Sequence, residues 1–427
     1  MKNKRLMIHG TSSSVGKSII TAALCRIFTQ DGFEVNPFKS QNMSLNSYIT
    51  YEGHEMGRAQ VIQAEACKKA PSSKMNPILL KPTTDRKSQV ILNGKVYKNM
   101  DAVEYFQFKP QLKEMVANTY KELSDASDIV VIEGAGSPAE INLKKEDIVN
   151  MGMAKIAKAP VVLVGDIDKG GVFAALAGTM LLLDEDERSL VKGVIINKFR
   201  GSLEILEPGL RQLEEIIKVP VLGVVPYFEL NIEDEDSVSD WFKQEEKSER
   251  DIDIAIIKLK HISNFTDFNS LKLFQDAGIR FVKNQSELGK PDVIIIPGTK
   301  NTIEDMLALK EAGVAEAIIH NYQEGAFVFG ICGGYQMLGK TIEDPLKVES
   351  SQGTVEGLGF INSNTIFLED KTTTLSKGYC EYFGCEISGY EIHMGQTKVQ
   401  KDKPLLRIKT RSNVEVDEID GAISEDG

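Results

Sequence analysis

Ala326-Phe-Val-Phe-Gly-Ile-Cys-Gly-Gly-Tyr-Gln-Met-Leu-Gly339 is the stretch around which the rest of the chain is organised. Its apolar start predicts a buried strand, and the residues after the cysteine begin a helix-compatible pattern. Three glycines crowd the junction, so Cys332 is predicted to lie on a sharp strand-to-helix turn, the geometry of a nucleophile elbow. We expect the helix to lower the pKa of the thiol and the Gly333 N–H to bind an oxyanion on the attacked carbonyl.

The alternative for Cys332 is a buried structural cysteine beside a tight turn, the usual environment of a lone cysteine. The apolar strand, the glycines on both sides and the helix beyond favour the catalytic interpretation. Gly330-Ile-Cys-Gly-Gly-Tyr-Gln336 resembles the nucleophile motif of class I glutamine amidotransferases. Pro297-Gly298-Thr299 follows a second buried strand, and its exposed amides make Gly298 the expected second oxyanion donor.

Length, charge and cysteine content limit the class of protein. A chain of 427 residues predicts two domains, and its 42% hydrophobic content is ordinary for a globular protein. The net charge of −12 argues against a nucleic-acid or anionic-membrane partner. Five scattered cysteines are too few for a disulfide framework, and neither a membrane-spanning run nor a signal-peptide pattern is present. These features favour a cytoplasmic protein.

The start of the chain carries a phosphate-binding motif. Arg5-Leu-Met-Ile-His9 predicts a strand that leads into Gly10-Thr-Ser-Ser-Ser-Val-Gly-Lys-Ser18, with a helix from Ile19 to about Asp31. In such a loop the backbone N–H groups and the helix N-terminus face the anion. Five residues separate the two loop glycines where the usual motif has four. This longer loop resembles the dethiobiotin-synthetase branch of P-loop proteins.

The loop supplies most of the predicted ATP contacts. Thr11 and Gly16 are assigned to nucleotide binding, Lys17 is expected to contact the outer phosphates, and the Ser18 hydroxyl is expected to ligate Mg²⁺. The alternative is a Gly/Ser turn with a solvated lysine, which fits poorly between a strand and a helix.

Two later segments place further charged groups after strands. Lys39 lies in Pro37-Phe-Lys-Ser-Gln-Asn-Met-Ser-Leu-Asn-Ser47, which is dense in amides and hydroxyls, and could steady a transferring phosphate. Here a simple solvated loop is an equal alternative. Glu133 ends the apolar strand that starts at Asp128, where P-loop enzymes place a carboxylate near Mg²⁺. Its alternative role is to cap the next helix.

The rest of the N-terminal part repeats the same design. Pro160-Val-Val-Leu-Val-Gly-Asp166 and Val194-Ile-Ile-Asn-Lys-Phe-Arg200 are apolar strands followed by polar turns. Asn197 and Lys198 are predicted to contact an adenine edge. Alternating strands and helices of this kind indicate an open parallel α/β sheet with its ligand at the strand C-termini.

We therefore predict an α/β protein with two open, mostly parallel sheets. Residues 1–228 form a P-loop, dethiobiotin-synthetase-like amidation domain that binds ATP and substrate. A charged linker occupies 229–251, and a class I glutamine amidotransferase-like domain, incomplete at its C-terminus, occupies 252–427.

The order of motifs over nearly the whole chain resembles the cobyric acid synthase family, glutamine-dependent amidotransferases of cobalamin biosynthesis. Pro37-Phe-Lys-Ser-Gln-Asn-Met-Ser44 and Gly165-Asp-Ile-Asp-Lys-Gly-Gly171 are the most specific segments. The resemblance implies a carbon–nitrogen ligase that uses ATP, Mg²⁺ and glutamine to amidate side-chain carboxylates of adenosylcobyrinic acid a,c-diamide, giving adenosylcobyric acid. Ammonia would come from glutamine hydrolysed at Cys332. The resemblance leaves the oligomeric state open.

Two other functions are considered. A synthase that makes cobyrinic acid a,c-diamide amidates only two corrinoid carboxylates, and in it the Lys39-Ser-Gln-Asn42 block would be unexpected. A non-catalytic P-loop switch or partitioning ATPase with a degenerate amidotransferase tail is the third possibility, against which the intact Cys332 elbow argues.

The sequence offers no clear candidate for the general base that the Cys332 thiol requires. In class I amidotransferases the base lies further downstream of the cysteine than His393 does here, and Gly389-Tyr-Glu-Ile-His393 resembles a family segment that lines the glutaminase site. His393 is therefore expected near the site and is doubtful as the base. Because the sequence ends on a turn signal, we expect it to lack the segment that carries the base.

Overall fold

The computed structural model describes residues 3–83, 87–228, 250–425 and 427. These residues form two compact units. The first unit comprises 3–43, 56–80 and 90–228. The second unit comprises 44–55, 81–83, 87–89 and the described residues from 250 onwards.

The described residues up to 101 form β1 (Lys4–Gly10), α1 (Lys17–Gln30), β2 (Val35–Phe38), β3 (Gln41–Met43), β4 (Ser47–Ile49), β5 (Glu55–Gly57), α2 (Arg58–Ala66), β6 (Ile78–Pro82), β7 (Lys87–Leu92) and β8 (Lys95–Asp101). From there to 228 they form α3 (Ala102–Asp125), β9 (Ile129–Glu133), α4 (Met151–Ala157), β10 (Val161–Asp166), α5 (Val172–Leu182), α6 (Glu185–Leu190), β11 (Val191–Phe199), α7 (Leu203–Ile217) and β12 (Val221–Pro226). Two small sheets run β3-β6-β7-β8 and β4-β5.

The first unit is organised by a six-stranded sheet in the order β12-β11-β10-β1-β9-β2, in which each recorded pairing is parallel. Its strands are rich in Val and Ile because both faces of a parallel sheet are covered. Ile8, Val131 and Val162 pack there against Val15 and Ile20 of the loop and helix that follow β1. The parallel strands bring their carboxyl ends, and the polar residues there, to one edge of the sheet.

From residue 250 the second unit contains β13 (Ile252–Ile257), β14 (Ala277–Val282), α8 (Gln285–Leu288), β15 (Val293–Ile296), α9 (Thr302–Glu311), α10 (Val314–Gln323), β16 (Phe327–Gly330), α11 (Gly333–Leu338), β17 (Thr341–Glu343), β18 (Thr354–Glu356), β19 (Ser363–Cys380), β20 (Cys385–Val399), β21 (Leu406–Arg411) and β22 (Val414–Asp420). Short 3₁₀ helices in the two units lie at Ser73–Met75, Ile141–Glu146 and Phe265–Leu273.

The second unit contains a parallel sheet, β14-β13-β15-β16. A further sheet, β18-β17-β19-β21-β22 with β20 paired to β19, is mostly antiparallel. The predicted α/β class with mostly parallel sheets is confirmed. The long β19–β20 hairpin in this sheet was not predicted from the sequence.

The predicted linker 229–251 lies almost wholly outside the described residues and stays a prediction. The predicted division at 228 differs from the compact units in two segments, Ser44–Glu55 and Lys81–Gln89, which belong to the second unit. The physical reason is hydrogen bonding: the Ser47 N–H donates to Asn264 Oδ1 at 2.8 Å, for example. No helix in the described ranges has the length and apolar character required to cross a membrane.

Candidate active sites

The phosphate loop lies between β1 and α1, as the sequence predicts. Gly16 has φ +99, a left-handed conformation, and a Cβ there would lie 2.2 Å from Asn197 Nδ2. Only glycine is therefore compatible with this position. The Thr11 N–H donates to the Val164 carbonyl at 3.0 Å, which ties the start of the loop to β10.

Lys17 is buried within the loop that it is expected to serve. Its ammonium donates to the Ser12 carbonyl at 2.9 Å and to the Gly136 carbonyl at 3.1 Å. These contacts hold the positive charge beside the loop backbone and next to the turn after β9. An outer phosphate bound there would replace neutral carbonyl acceptors by charged ones, which form stronger hydrogen bonds.

Glu133 joins several of the predicted site residues. It is fully buried and accepts hydrogen bonds from Ser18 Oγ at 2.8 Å and Lys39 Nζ at 2.9 Å through Oε1. Gln63 Nε2 donates to its other oxygen, Oε2. Gln63 was not among the predicted site residues, although a fully buried glutamine on the short helix α2 indicates a polar partner. The structure thus brings Ser18, Lys39 and Glu133 together.

The Ser18 and Glu133 oxygens are hard donors of the kind Mg²⁺ prefers, so these residues fit the ion. Both carboxylate oxygens of Glu133 already accept protein hydrogen bonds. Across residues 3–83, 87–228, 250–425 and 427, no three His, Cys, Asp or Glu side chains are grouped as a metal site. A bound Mg²⁺ would therefore depend on Ser18, Glu133 and ATP oxygens.

Asn197 and Lys198 also lie against the phosphate loop. Asn197 Nδ2 donates to the Val15 carbonyl at 2.8 Å. Lys198 Nζ donates to the Ser14 carbonyl at 2.8 Å and to Asp166 Oδ2 at 2.9 Å. These contacts support a role in bracing the loop, and the predicted adenine contact stays a prediction.

Cys332 occupies the predicted elbow between β16 and α11. Its φ of 51° and ψ of −110° are uncommon for a residue with a side chain. A Cβ on Gly330 would lie 2.7 Å from backbone atoms of Gly334, and a Cβ on Gly334 would lie 1.9 Å from the Ile296 carbonyl oxygen. The two glycines are thus required for the turn that projects the thiol.

The two predicted oxyanion donors lie beside Cys332. Ile296 and Gly330 are register partners on neighbouring strands, so the residues two positions further on, Gly298 and Cys332, are close. A Cβ on Gly298 would lie 3.7 Å from Cys332 Cβ. Gly333 follows the cysteine directly, and its N–H favours the thiolate.

The expected fall in the thiol pKa is not observed. The pKa of Cys332 is raised to about 11, because desolvation by the surrounding protein outweighs the hydrogen bond from the Gly333 N–H. The helix α11 has only six residues, so its dipole is small. The prediction of a lowered thiol pKa was wrong, and the thiol requires a proton acceptor for its attack.

His393 and Cys332 line one cavity, but the hydrogen bonds of the His393 ring go to other groups. Its Nδ1 lies 2.9 Å from the Gly395 carbonyl oxygen, and its Nε2 lies 3.6 Å from Glu391 Oε2. The contact from β20 to Cys332 Sγ is the Ile392 carbonyl oxygen, at 3.7 Å. Among the described residues no hydrogen bond joins the His393 ring to Cys332, so its role as base stays doubtful.

A cavity of about 880 Å³ opens at Cys332, and several charged groups that were not predicted as site residues line it. Glu349 accepts from the Thr302 N–H at 3.0 Å, and burial raises its pKa to about 7. The other missed groups are Lys81, Lys300 and Lys371. Lys81 was detectable in principle, because a lysine inside the apolar strand Ile78–Pro82 must find a buried partner.

Comparison with known proteins gives a consistent result for both units. Residues 253–427 match the family model of the CobB/CobQ-like glutamine amidotransferase domain, and residues 4–233 match an AAA domain model.

Cobyric acid synthase of Clostridium novyi (strain NT) is 62% identical over 427 residues, which are 100% of this chain and 85% of the relative. Cobyric acid synthase of Alkaliphilus metalliredigens (strain QYMF) is 57% identical over 431 residues, covering 99% of this chain and 86% of the relative. That of Clostridium tetani (strain Massachusetts / E88) is 55% identical over 427 residues, covering 100% and 86%.

Proposed function

The chain belongs to the cobyric acid synthase family, and we propose which part of the reaction each of its two units carries out. The family assignment makes it an ATP-dependent glutamine amidotransferase of cobalamin biosynthesis and favours this function over the two alternatives. We propose that the second unit releases ammonia from glutamine. The first unit activates side-chain carboxylates of adenosylcobyrinic acid a,c-diamide with ATP, and ammonia then converts them to amides.

In the first unit, Lys17 and the backbone N–H groups of the loop bind the phosphates of ATP. Asn197 and Lys198 keep the loop in shape through the Val15 and Ser14 carbonyls. Transfer of the terminal phosphoryl group to a carboxylate leaves a good leaving group on the acyl carbon. The positive charge of Lys17 stabilises the negative charge on the phosphoryl oxygens during that transfer.

Mg²⁺ would be held by Ser18 and Glu133 together with phosphate oxygens, and it would neutralise charge on them. Lys39 pairs with Glu133 at 2.9 Å in a buried environment, with side-chain exposures of 5% and 0%. Lys39 therefore fixes the carboxylate, and it becomes available to a phosphate if Glu133 turns toward the ion.

In the second unit, Cys332 Sγ attacks the side-chain carbonyl carbon of glutamine. The Gly298 and Gly333 N–H groups stabilise the oxyanion that forms. As the intermediate collapses, the C–N bond breaks, the nitrogen takes up the proton that the Cys332 thiol lost and leaves as ammonia, and a thioester remains on the cysteine. Water then hydrolyses the thioester to glutamate and the free thiol.

The strained Cys332 elbow, open to a cavity and with Gly298 and Gly333 beside it, is the observation that carries this proposal. The test is incubation with ATP, Mg²⁺, adenosylcobyrinic acid a,c-diamide and glutamine labelled with ¹⁵N at its amide, followed by mass spectrometry. We expect ¹⁵N in new amides of the corrinoid, one glutamate formed per amide and no product without ATP. Amidation of cobyrinic acid itself, with none of its a,c-diamide, would contradict the proposal.

A further inference from the structure

The helix that follows the phosphate loop turns a partly polar face toward α2. Ser18 and Thr21 are three positions apart on α1, so they lie on one face of the helix, and Cys25 continues that face one turn later. The thiols of Cys25 and Cys67 are hydrogen-bonded to each other, and Cys67 directly follows α2. Gln63 lies four positions before Cys67, so the face of α2 that carries Gln63 is turned toward the face of α1 that carries Ser18.

Gln63 is buried at this contact, yet only half of its amide is paired. Its relative exposure is 0%. Its Nε2 donates to Glu133 Oε2, whereas no hydrogen-bond partner is recorded for its Oε1 within the described part of the chain. A buried carbonyl oxygen without a donor is costly, and in native proteins such an atom is normally met by a water or an ion. The unpaired oxygen therefore points to a bound group beside Glu133.

The group that meets Gln63 must be a hydrogen-bond donor or a cation, because an amide oxygen only accepts. On the facing helix, the Thr21 hydroxyl is also buried and has no recorded partner among the described residues. Mg²⁺ usually keeps several of its waters in a protein site, and a water bound to the ion donates hydrogen bonds through its O–H groups. Two unpaired oxygens on facing helices suit such a water.

Glu133 connects Gln63 to the residues that fit Mg²⁺. Its Oε1 accepts from Ser18 Oγ at 2.8 Å and from Lys39 Nζ at 2.9 Å, while its Oε2 is held by the Gln63 amide. A carboxylate that is fixed through one oxygen keeps the other oxygen oriented, here toward Ser18. Groups that orient a metal ligand in this way typically contribute about 10- to 100-fold to metal affinity.

We propose that Gln63 is a positioning residue of the Mg²⁺ site. Its amide nitrogen keeps the Glu133 carboxylate oriented toward Ser18, and its amide oxygen accepts a hydrogen bond from a water on the ion. The inference rests on the proposed function, because it concerns the Mg²⁺ that accompanies ATP in the first unit.

Gln60 lies three positions earlier on α2 and is equally buried, but its chemistry does not suit this role. Its Oε1 accepts from Asn42 Nδ2 at 3.1 Å. The atom of Gln60 that has no recorded partner among the described residues is its nitrogen, which donates and cannot accept from a water. Gln60 is therefore the matched control for Gln63: a buried glutamine of the same helix whose oxygen is already paired.

The test measures metal binding and nucleotide binding separately. Gln63→Leu removes both amide groups, Gln63→Glu keeps acceptor oxygens and loses the donor to Glu133, and Gln60→Leu is the control. Each full-length protein, loaded with the non-hydrolysable analogue β,γ-methylene-ATP, is titrated with Mn²⁺, which prefers the same oxygen ligands as Mg²⁺. Free Mn²⁺ is followed by its EPR signal, and a titration of the analogue alone gives the background. Calorimetry in EDTA measures binding of the analogue without metal.

For Gln63→Leu we expect the Mn²⁺ affinity of the complex to fall by about 10- to 100-fold. Metal-free binding of the analogue should stay at the wild-type value, because the phosphate loop is unchanged. Gln63→Glu should retain more Mn²⁺ affinity than Gln63→Leu, since it still presents oxygen acceptors. Gln60→Leu should equal the wild type in both measurements. Circular dichroism checks folding, and Gln63→Met replaces Gln63→Leu if that variant is unfolded.

A wild-type Mn²⁺ affinity in Gln63→Leu overturns the inference. So does an equal fall in metal-free binding of the analogue, which would indicate damage to the loop, and so does the same loss of Mn²⁺ affinity in Gln60→Leu. A Gln63→Glu variant as weak as Gln63→Leu overturns the role assigned to the amide oxygen. If the wild-type complex binds no more Mn²⁺ than the analogue alone, the proposed metal site fails and the inference fails with it. If the wild type binds Mn²⁺ and Gln63→Leu binds it equally well, only the inference fails.

Discussion

The phosphate loop and the cysteine cavity differ in how their charged groups are stabilised. In the first unit Lys17 is held by two backbone carbonyls, and Glu133 by Ser18, Lys39 and Gln63, so the charged groups are already matched by nearby partners. In the cavity of the second unit, burial is the largest cause of the pKa shifts of Cys332, Glu349 and Lys371.

The difference shows what each region requires from its substrate. In the loop, a bound phosphate can replace the carbonyl groups that now accept hydrogen bonds from Lys17. Burial in the cavity disfavours the charged forms of Cys332, Glu349 and Lys371, so its chemistry depends on the glutamine that fills it and on the partners that accept protons. Loss of a residue should therefore affect the two regions differently.

The largest effect should follow Cys332→Ala, which should lower glutamine-driven amidation by about a thousandfold or more because the nucleophile is lost. Amidation with added ammonia should remain, because in the proposed division of the reaction ATP and the corrinoid are used in the first unit. Both rates are measured by mass spectrometry of the corrinoid product. Cys385→Ala, which changes an exposed cysteine away from the elbow, is the control that should change neither rate. Equal loss of both activities in Cys332→Ala would show that the two regions do not act separately.

Lys17→Ala should lower ATP turnover by about a hundredfold with either nitrogen source, because it removes a fixed positive charge from the outer phosphates. Glutamine hydrolysis measured alone should be less affected. The measurements are phosphate release and glutamate formation. Lys113→Ala, an exposed lysine on α3, serves as the matched control. Unchanged ATP turnover in Lys17→Ala would refute the assignment of the loop.

Glu133→Ala should lower the free energy of unfolding by about 3–5 kcal/mol, because it leaves the buried Lys39 ammonium without its carboxylate. Chemical denaturation of the wild-type and variant proteins provides the measurement. The control is Glu122→Ala, which breaks the exposed Lys74–Glu122 pair at 2.8 Å and should cost less than about 1 kcal/mol. Similar losses of unfolding free energy in the two variants would mean that the buried Lys39–Glu133 pair contributes no more to stability than an exposed pair.

The smallest effect concerns the pH dependence of stability at Glu349. Its pKa rises from 4.5 to about 7 on folding, so its contribution to stability is fully present below pH 4.5 and is lost as the pH rises toward 7. Glu349→Gln removes this titration, so the variant should gain stability relative to the wild type between pH 5 and pH 7.5. Thermal unfolding at the two pH values tests this, with the exposed Glu356→Gln as control. A constant difference between Glu349→Gln and wild type would exclude a raised carboxyl pKa.

The α/β class, the position of the phosphate loop and the position of the Cys332 elbow could all be predicted from the sequence. These features depend on contiguous residues. Apolar runs specify the strands of a parallel sheet, and glycines at Gly16, Gly330 and Gly334 permit backbone conformations that a side chain would block. Local patterns of this kind predict local geometry without knowledge of the rest of the chain.

The residues that surround these motifs could not be predicted, because they are brought together by folding. Gln63 contacts Glu133 across 70 positions of sequence, and Lys371 contacts Glu55 across 316. No local pattern predicts such pairs, because they arise when distant segments are buried together. The thiol pKa of Cys332 was predicted in the wrong direction for the same reason: the helix start is visible in the sequence, whereas the desolvation that outweighs it is created by packing around the folded cavity.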